Sequence, residues 1–584
     1  MAVEKLITEH IDTWTSALKT RSTAGRGSNG KIDLYGIKKL RELILELAVR
    51  GKLVPQDPND EPASELLKRI AAEKVKLVKQ GKIKKQKPLP EISEDEKPFE
   101  LPVGWAWARI SEVGYDWGQK TPDCEFTYID VGSINKELGI IQEPETLLAK
   151  DAPSRAKKIV KKGTVIYSTV RPYLLNIAII EQEFSPEPIA STAFAIIHPF
   201  AGMFSNYIYY YLRSPTFIKY VEGCQTGIAY PAINDKQFFT GLIAIPPSGE
   251  QDLIVNKVGE LMSLCDQLEQ QSLTSLDVHS QLVETLLATL TYSQNAEELA
   301  ENWARISQHF DTLFTTEASI DALKQTILQL AVMGKLVPQD PNDEPASELL
   351  KRIEQEKAQL VKEGKIKKQK PLPPISEDEK PFELPVGWEW CKFGLLSEFI
   401  NGDRGSNYPN KNEYVDSGVP WINTGHIEKD GTLSVESMNY ITQKKFDELR
   451  GGKIKNGDLV YCLRGATFGK TAFVTPYKIG AIASSLMIIR PFIIQAGAFF
   501  YNYLTSPFGK SQIFRFDNGS AQPNLSANSV MLYAFPCPPL EEQSRIYNEV
   551  QRLFEICESL KSNILSAQQT QLHLADALID AALN

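Results

Sequence analysis

Two stretches of the chain repeat apolar residues at alternating steps of four and three. In the first, Ile254, Val258, Leu261, Cys265 and Leu268 fall on one side of a helix, and in the second Ile546, Val550, Leu553, Cys557 and Leu560 do the same. Such spacing is the seam of a coiled coil, so long helices are expected from Glu250 to Leu290 and from Glu541 to Leu583. The second seam runs on through Ile564, Ala567, Leu574 and Leu578, whereas Ser272, Ser275 and His279 interrupt the first before Leu282 and Leu286. Packed antiparallel about a pseudo two-fold axis, the two helices would bury each other's stripes. A helix lying against its own domain would show the same stripe.

The pairing of stripes belongs to a larger internal repeat. GKLVPQDPNDEPASELLKRI at Gly51 to Ile70 recurs unchanged at Gly334 to Ile353, and ISEDEKPFELPVGW at Ile92 to Trp105 recurs at Ile375 to Trp388. Within the first block, Leu and Ile share one face of a helix that starts near Ser64 or Ser347, and Gly81 or Gly364 supplies its C-cap. Pro88, Pro90, Pro98 and Pro102 then impose an extended arm. Lys82, Lys84, Lys85 and Lys87 on that arm suit a solvated linker as well as a phosphate or partner contact.

Beyond Trp107 and Trp390 identity collapses, but a skeleton survives. Tyr167 matches Tyr461, Ile189 to Pro199 matches Ile482 to Pro491, and Ser214-Pro215 matches Ser506-Pro507. The chain therefore divides into an N-terminal helical region (1–91), a first variable domain (92–245), a central spacer helix with the repeated helical region (246–374), a second variable domain (375–538) and a C-terminal spacer helix (539–584). The expected fold class is α+β: two mixed, strand-rich domains separated by long antiparallel coiled-coil-like helices in a pseudo two-fold repeat.

A net charge of -9 and a pI near 5.5 argue at first against a nucleic-acid partner. Locally the balance reverses twice. Ala152 to Ile180 holds Arg155, Lys157, Lys158, Lys161, Lys162 and Arg171 without a carboxylate, and Gly451 to Phe516 holds Lys453, Lys455, Arg464, Lys470, Lys478, Arg490, Lys510 and Arg515 against Asp458 alone. The opening residues alternate with charges too often for a signal peptide or spanning helix. Seven scattered cysteines with no CxxC point to reduced thiols in a cytoplasm, and no Cys/His cluster has metal-ligand spacing.

The order of repeated helical segment, variable domain opening on Leu101-Pro-Val-Gly-Trp105 or Leu384-Pro-Val-Gly-Trp388, and Pro538-Pro-Leu-Glu-Glu-Gln543 leading into a long helix resembles the specificity subunits of type I restriction-modification enzymes. The resemblance spans nearly the whole chain and includes the loop Gly519 to Ser526. It implies a non-catalytic DNA-binding subunit in which each variable domain reads one half of a split double-stranded target. By the same resemblance, two methyltransferase subunits dock on the helical regions and bring S-adenosylmethionine to methylate adenine. Restriction subunits that use ATP and magnesium complete the assembly, and no cofactor belongs to this chain.

Candidate contact residues come from the basic stretches and from glycine turns carrying donors. The first domain offers Lys120 and Thr121 after Gly118, then Arg155, Lys157, Lys158, Lys161, Lys162, Ser168 and Arg171, and Tyr230 and Asn234 from Gly227 to Asn234. The second offers Arg404, Ser406, Asn407 and Tyr408 after Gly402, then Lys453, Lys455, Arg464 and Lys470, and Gln522 and Asn524. Cations and small hydroxyl or amide groups on such turns bond phosphates and base edges. Ordinary surface turns have the same composition.

Chemistry within the chain is argued against by two decoys. Pro246-Pro247 and Pro538-Pro539 follow Ile245 and Cys537, not the Asn or Asp of an adenine methyltransferase. Gly465-Ala-Thr-Phe-Gly-Lys-Thr471 has one residue too few between its glycines for a phosphate-wrapping loop, and a strand-turn-strand suits it better. A tandem-repeat scaffold without DNA binding stays open as an alternative.

Overall fold

The computed structural model describes residues 3–21, 31–85, 89–227, 231–405, 407–464, 467–516 and 525–583. Among them the chain divides into two compact units, one of residues 3–21, 31–274 and 568–583, the other of residues 275–405, 407–464, 467–516 and 525–567.

In the first unit the helix Tyr35–Val49 buries ten of its 15 residues, including all from Leu43 to Val49. Gly51 then reverses the chain at φ 65°, and a Cβ there would lie 2.5 Å from the Pro102 ring, so both the turn and the contact require glycine. The following helix, Ala63–Lys79, ends in the same way: Gly81 has φ 69° and Lys82 N donates to Leu77 O. A strand-rich domain follows. Ala106–Arg109, directly after the Leu-Pro-Val-Gly-Trp motif, pairs antiparallel with Leu242–Ile245, directly before the double proline, and so closes the domain at its base. Between them stand two four-stranded sheets. One places Val165–Ser168 between Ile177–Ile179 and Phe194–Pro199, and the other places Phe126–Ile129 parallel to Pro188–Ser191. Every residue of Val165–Ser168 is buried, because both faces of that strand are covered.

The second unit has its own version of each part. Helices Glu317–Val332 and Ala346–Lys362 precede the base pair Glu389–Lys392 with Ala534–Cys537. Leu459–Cys462 lies between Thr471–Phe473 and Leu486–Pro491, and Val419–Ile422 runs parallel to Ala481–Ile482. Ser214 and Ser506 both cap a helix whose first residue is proline, accepting from Phe217 N at 3.3 Å and Gly509 N at 3.0 Å. A further repeat, unseen in the block identities, joins Glu9-His-Ile-Asp-Thr13 to Gln308-His-Phe-Asp-Thr312. The next residues, Trp14 and Leu313, are buried in their respective units.

The long helices run Ser248–Tyr292 and Leu540–Leu583. Their buried stripes do not keep a heptad. In the first helix Ile254, Val258, Leu261, Cys265 and Leu268 are buried, but Leu282 is 49% exposed and Val283, Leu287 and Leu290 take the interior instead. In the second, Leu574 is 47% exposed, Ala567 is also exposed, and Ala575 is buried. Positions Ile254, Cys265, Leu276 and Leu287, like Ile546, Cys557, Gln568 and Ile579, are buried or half-buried at steps of 11 residues. An 11-residue period corresponds to about 3.67 residues per turn, which departs from the straight helix in the sense opposite to the 3.5-residue seam of a left-handed supercoil. The heptad expectation is therefore corrected beyond the middle of each helix. Within the first unit Arg41 binds Asp266 and Glu269, both at 2.6 Å, and within the second Lys324 binds Glu558 at 2.6 Å.

Candidate nucleic-acid interface

Each strand-rich domain is fixed to its helical base by one buried hydrogen-bonded group. In the first, Trp105 Nε1 donates to Glu250 Oε2 at 2.9 Å and Gln56 Nε2 donates to Glu250 Oε1 at 3.1 Å. In the second, Trp388 Nε1 and Gln339 Nε2 donate to Glu542 at 3.0 Å each. Burial pushes both carboxyls above the ordinary range against the lowering effect of their Gln and Trp donors. Sequence reading marked the Trp and the Glu only as family signatures. Their identical recurrence, with Gln56 and Gln339, was the available sign of a shared buried role.

On this base the first domain gathers its candidate residues in two places. Lys120 N donates to Lys157 O at 2.8 Å, which lays the Gly118 loop along the strand Ala156–Ile159. Thr121, Arg155, Lys157, Lys161 and Lys162 are exposed there, and Lys161 Nζ sits 4.0 Å over the Trp117 ring. Lys120 is less available, since Glu187 at 2.8 Å and Asp123 at 3.2 Å bind its ammonium and raise its pKa. Lys158 requires correction: it is 5% exposed and bound to Asp116 at 2.6 Å, an ion pair of the domain interior. The second place is the turn after Val165–Ser168. Arg171 N donates to Pro231 O at 2.8 Å, which brings that turn against the segment after Tyr230. Ser168 is buried and donates to Val170 O, and Asn234 caps the helix Asp235–Thr240 through Gln237 N, so both act in the fold.

Corresponding groupings occur in the second domain. Asp403 accepts from Gly405 N at 2.7 Å and from Arg450 N at 2.8 Å, and Asn407 Nδ2 donates to Glu448 O. These bonds hold the loop of exposed Arg404 against the segment that leads to Lys453, which is half-buried over the Phe446 ring, with Lys455 exposed further along. Tyr408 packs edge-on against Trp421 and serves the core. Arg464 and Lys470 are exposed on the hairpin formed by Leu459–Cys462 and Thr471–Phe473. Leu525 N donates to Leu463 O at 3.1 Å, holding that hairpin against the segment that follows Asn524. Tyr230, Ser406, Gln522 and Asn524, with Gly465, lie outside the described residues.

Several cations that look unopposed in the sequence are neutralised from a distance. Arg490 binds Asp458 at 2.7 Å, and Lys392 and Arg515 bind Glu379 at 2.7 and 2.9 Å. Burial alone would raise Glu379, but the Lys392 ammonium with the Ser376 amide and Arg515 holds its carboxyl down to about 2. Lys510 is exposed, but desolvation of its ammonium lowers its pKa, and it donates to Gln325. What remains exposed is a smaller set of cations along loops of each domain and on one hairpin of the second.

Residues 385–567 match the family model of the type I restriction modification DNA specificity domain. Over its full length, and over the full length of the relative, the chain is 51% identical to the type I restriction enzyme EcoAI specificity subunit of Escherichia coli. The chain belongs to the type I restriction enzyme specificity subunits. This specificity subunit is also 50% identical, again over all of both chains, to the EcoEI specificity subunit of Escherichia coli. A solved chain described by the words "structural basis underlying complex assembly and conformational transition of the type I R-M system" shares the fold, with TM-score 0.52 and 21% identity, over 83% of this chain and 99% of that one.

Proposed function

We propose that this specificity subunit reads a bipartite, asymmetric double-stranded DNA target, one half by the domain within 92–245 and the other by the domain within 375–538. The long helices and repeated helical regions form the pseudo two-fold frame on which two methyltransferase subunits dock, carrying S-adenosylmethionine. Restriction subunits with ATP and magnesium join through them, in the cytoplasm. The subunit itself contributes recognition and no catalytic group. One observation carries this reading: two sheets of matching strand order, each fixed by the same Trp–Glu–Gln bonds, present different exposed side chains at the same turns. A shared frame with unlike surfaces is what two different half-sites require, because phosphate contacts position a protein and base contacts specify the sequence. Labelled S-adenosylmethionine and target duplex should yield no methyl transfer with the purified chain and transfer once the methyltransferase is added. Transfer by the chain alone would overturn the reading, and failure of the assembled pair to bind any duplex at low salt would favour a scaffold without DNA.

A further inference from the structure

The turns that follow Val165–Ser168 and Leu459–Cys462 are held by the same bonds and end in opposite chemistry. Ser168 Oγ donates to Val170 O, as Cys462 Sγ donates to Arg464 O. Thr169 N donates to Ala193 O, as Leu463 N donates to Ser485 O, and Ile233 N reaches Thr169 O as Leu525 N reaches Leu463 O. Beyond these anchors the second domain has cations and glycines. The first has Val170-Arg171-Pro172-Tyr173-Leu174-Leu175.

In that segment Arg171 and Leu175 stand at φ 50° and 53°, a left-handed conformation that side chains with a Cβ rarely adopt. They bracket the short 3-10 turn Pro172–Leu174, in which the Pro172 ring is buried. The bonds from Arg171 N to Pro231 O and from Ser168 N to Asn176 O hold the turn from either side. The rigid support carries apolar surface into solvent: Tyr173 is 51% exposed and Val170 37%. Strained backbone maintained by surrounding bonds is characteristic of functional loops. An aromatic ring held outward on a fixed turn is suited to a nucleobase face, which has no charge requirement and gains from stacking.

We propose that Tyr173 is a stacking wedge of the first domain, its ring entering a base step of that domain's half-site. The proposal rests on the DNA-reading function above. Arg171 and Leu175, the two left-handed residues, set the turn that carries the ring. In the second domain Arg464 and glycines stand at the same anchors, and the ring of that hairpin, Phe468, is half-buried against the core instead of standing outward.

The test uses the full chain with its methyltransferase and a duplex carrying the sequence methylated in cells, with 2-aminopurine placed in turn at each purine of the first half-site. Wild-type complex should raise the fluorescence at one step, reporting unstacking. Tyr173→Ala should abolish that rise and weaken binding by about tenfold or more, the loss expected for one aromatic–base stack. Tyr173→Phe should keep both signal and affinity, since the ring and not the hydroxyl acts. An unchanged signal and affinity in Tyr173→Ala, or a Tyr173→Phe that fails as badly as alanine, would overturn the wedge while leaving DNA reading intact. Wild-type complex that does not bind the duplex at all would overturn both.

Discussion

Replacing Glu542 by alanine removes the one acceptor shared by Trp388 Nε1 and Gln339 Nε2, each 3.0 Å away. The indole N–H lies in a buried bond and Glu542 itself is 1% exposed, so water replaces the carboxylate poorly. A buried donor left without a partner costs about 1–3 kcal/mol. Gln339 Nε2 keeps its bond to Gly334 O at 2.8 Å, so only the indole N–H is stranded, and with a desolvated carboxylate also removed the expected net loss is about 1–2 kcal/mol. For a domain of this size that is about 2–4 °C in Tm, at roughly 2 °C per kcal/mol. Glu542→Gln retains one acceptor and should lose about half as much. Hydrogen exchange read by mass spectrometry should place the weakened protection in residues 385–537, and Glu250→Ala should weaken residues 102–245 instead. A Glu542→Ala chain that melts within 1 °C of wild type, or protection lost equally in both domains, would refute the idea that each reader is fixed by its own buried carboxylate.

Neutralising Lys157, Lys161 and Lys162 together should weaken binding to every duplex and flatten the salt dependence by up to about three in log–log slope, measured by titration at several salt concentrations. Lys158→Ala should instead lower thermal stability, because its ammonium is interior and paired with Asp116. The Glu379 carboxyl lies below its ordinary value of 4.5, at about 2, so its contribution is present above pH 4.5 and is lost as pH falls toward 2. That shift corresponds to about 3 kcal/mol at neutral pH, and Lys392→Met should flatten the acid limb of urea-midpoint stability; an unchanged limb would contradict the pairing. Eighteen residues, five whole turns, inserted into both long helices should preserve the buried face and widen the unspecified DNA gap by up to about eight base pairs, at 1.5 Å per helical residue against 3.4 Å per pair. Nine residues, two and a half turns, should carry the stripe to the opposite side and leave the assembly less active in methylation-site sequencing.

Much of the frame could be read from the residues because its signals are local. Gly81 and Gly364 end their helices as expected, Ser-Pro opens one in each domain, and Leu459–Cys462 pairs antiparallel with Thr471–Phe473. The drift of the helical stripe could not be read, since Leu282-Val283 and Leu286-Leu287 offer apolar side chains in two adjacent phases and only packing chooses between them. Electrostatic pairing was equally hidden. Lys158 meets Asp116 and Arg515 meets Glu379 across 42 and 136 positions of sequence, so a count along one basic stretch overstated its free charge. The Val170–Leu175 turn escaped notice for another reason: its left-handed residues are not glycine, and no composition rule marks them.

The most direct test exchanges Ala108 to Ala244 for the corresponding reader of a related specificity subunit and sequences the methylated sites genome-wide. The account predicts a recognised sequence in which one half is replaced while the other half and the gap are retained. A change at both halves, or at neither, would contradict the claim that two independent readers share one frame.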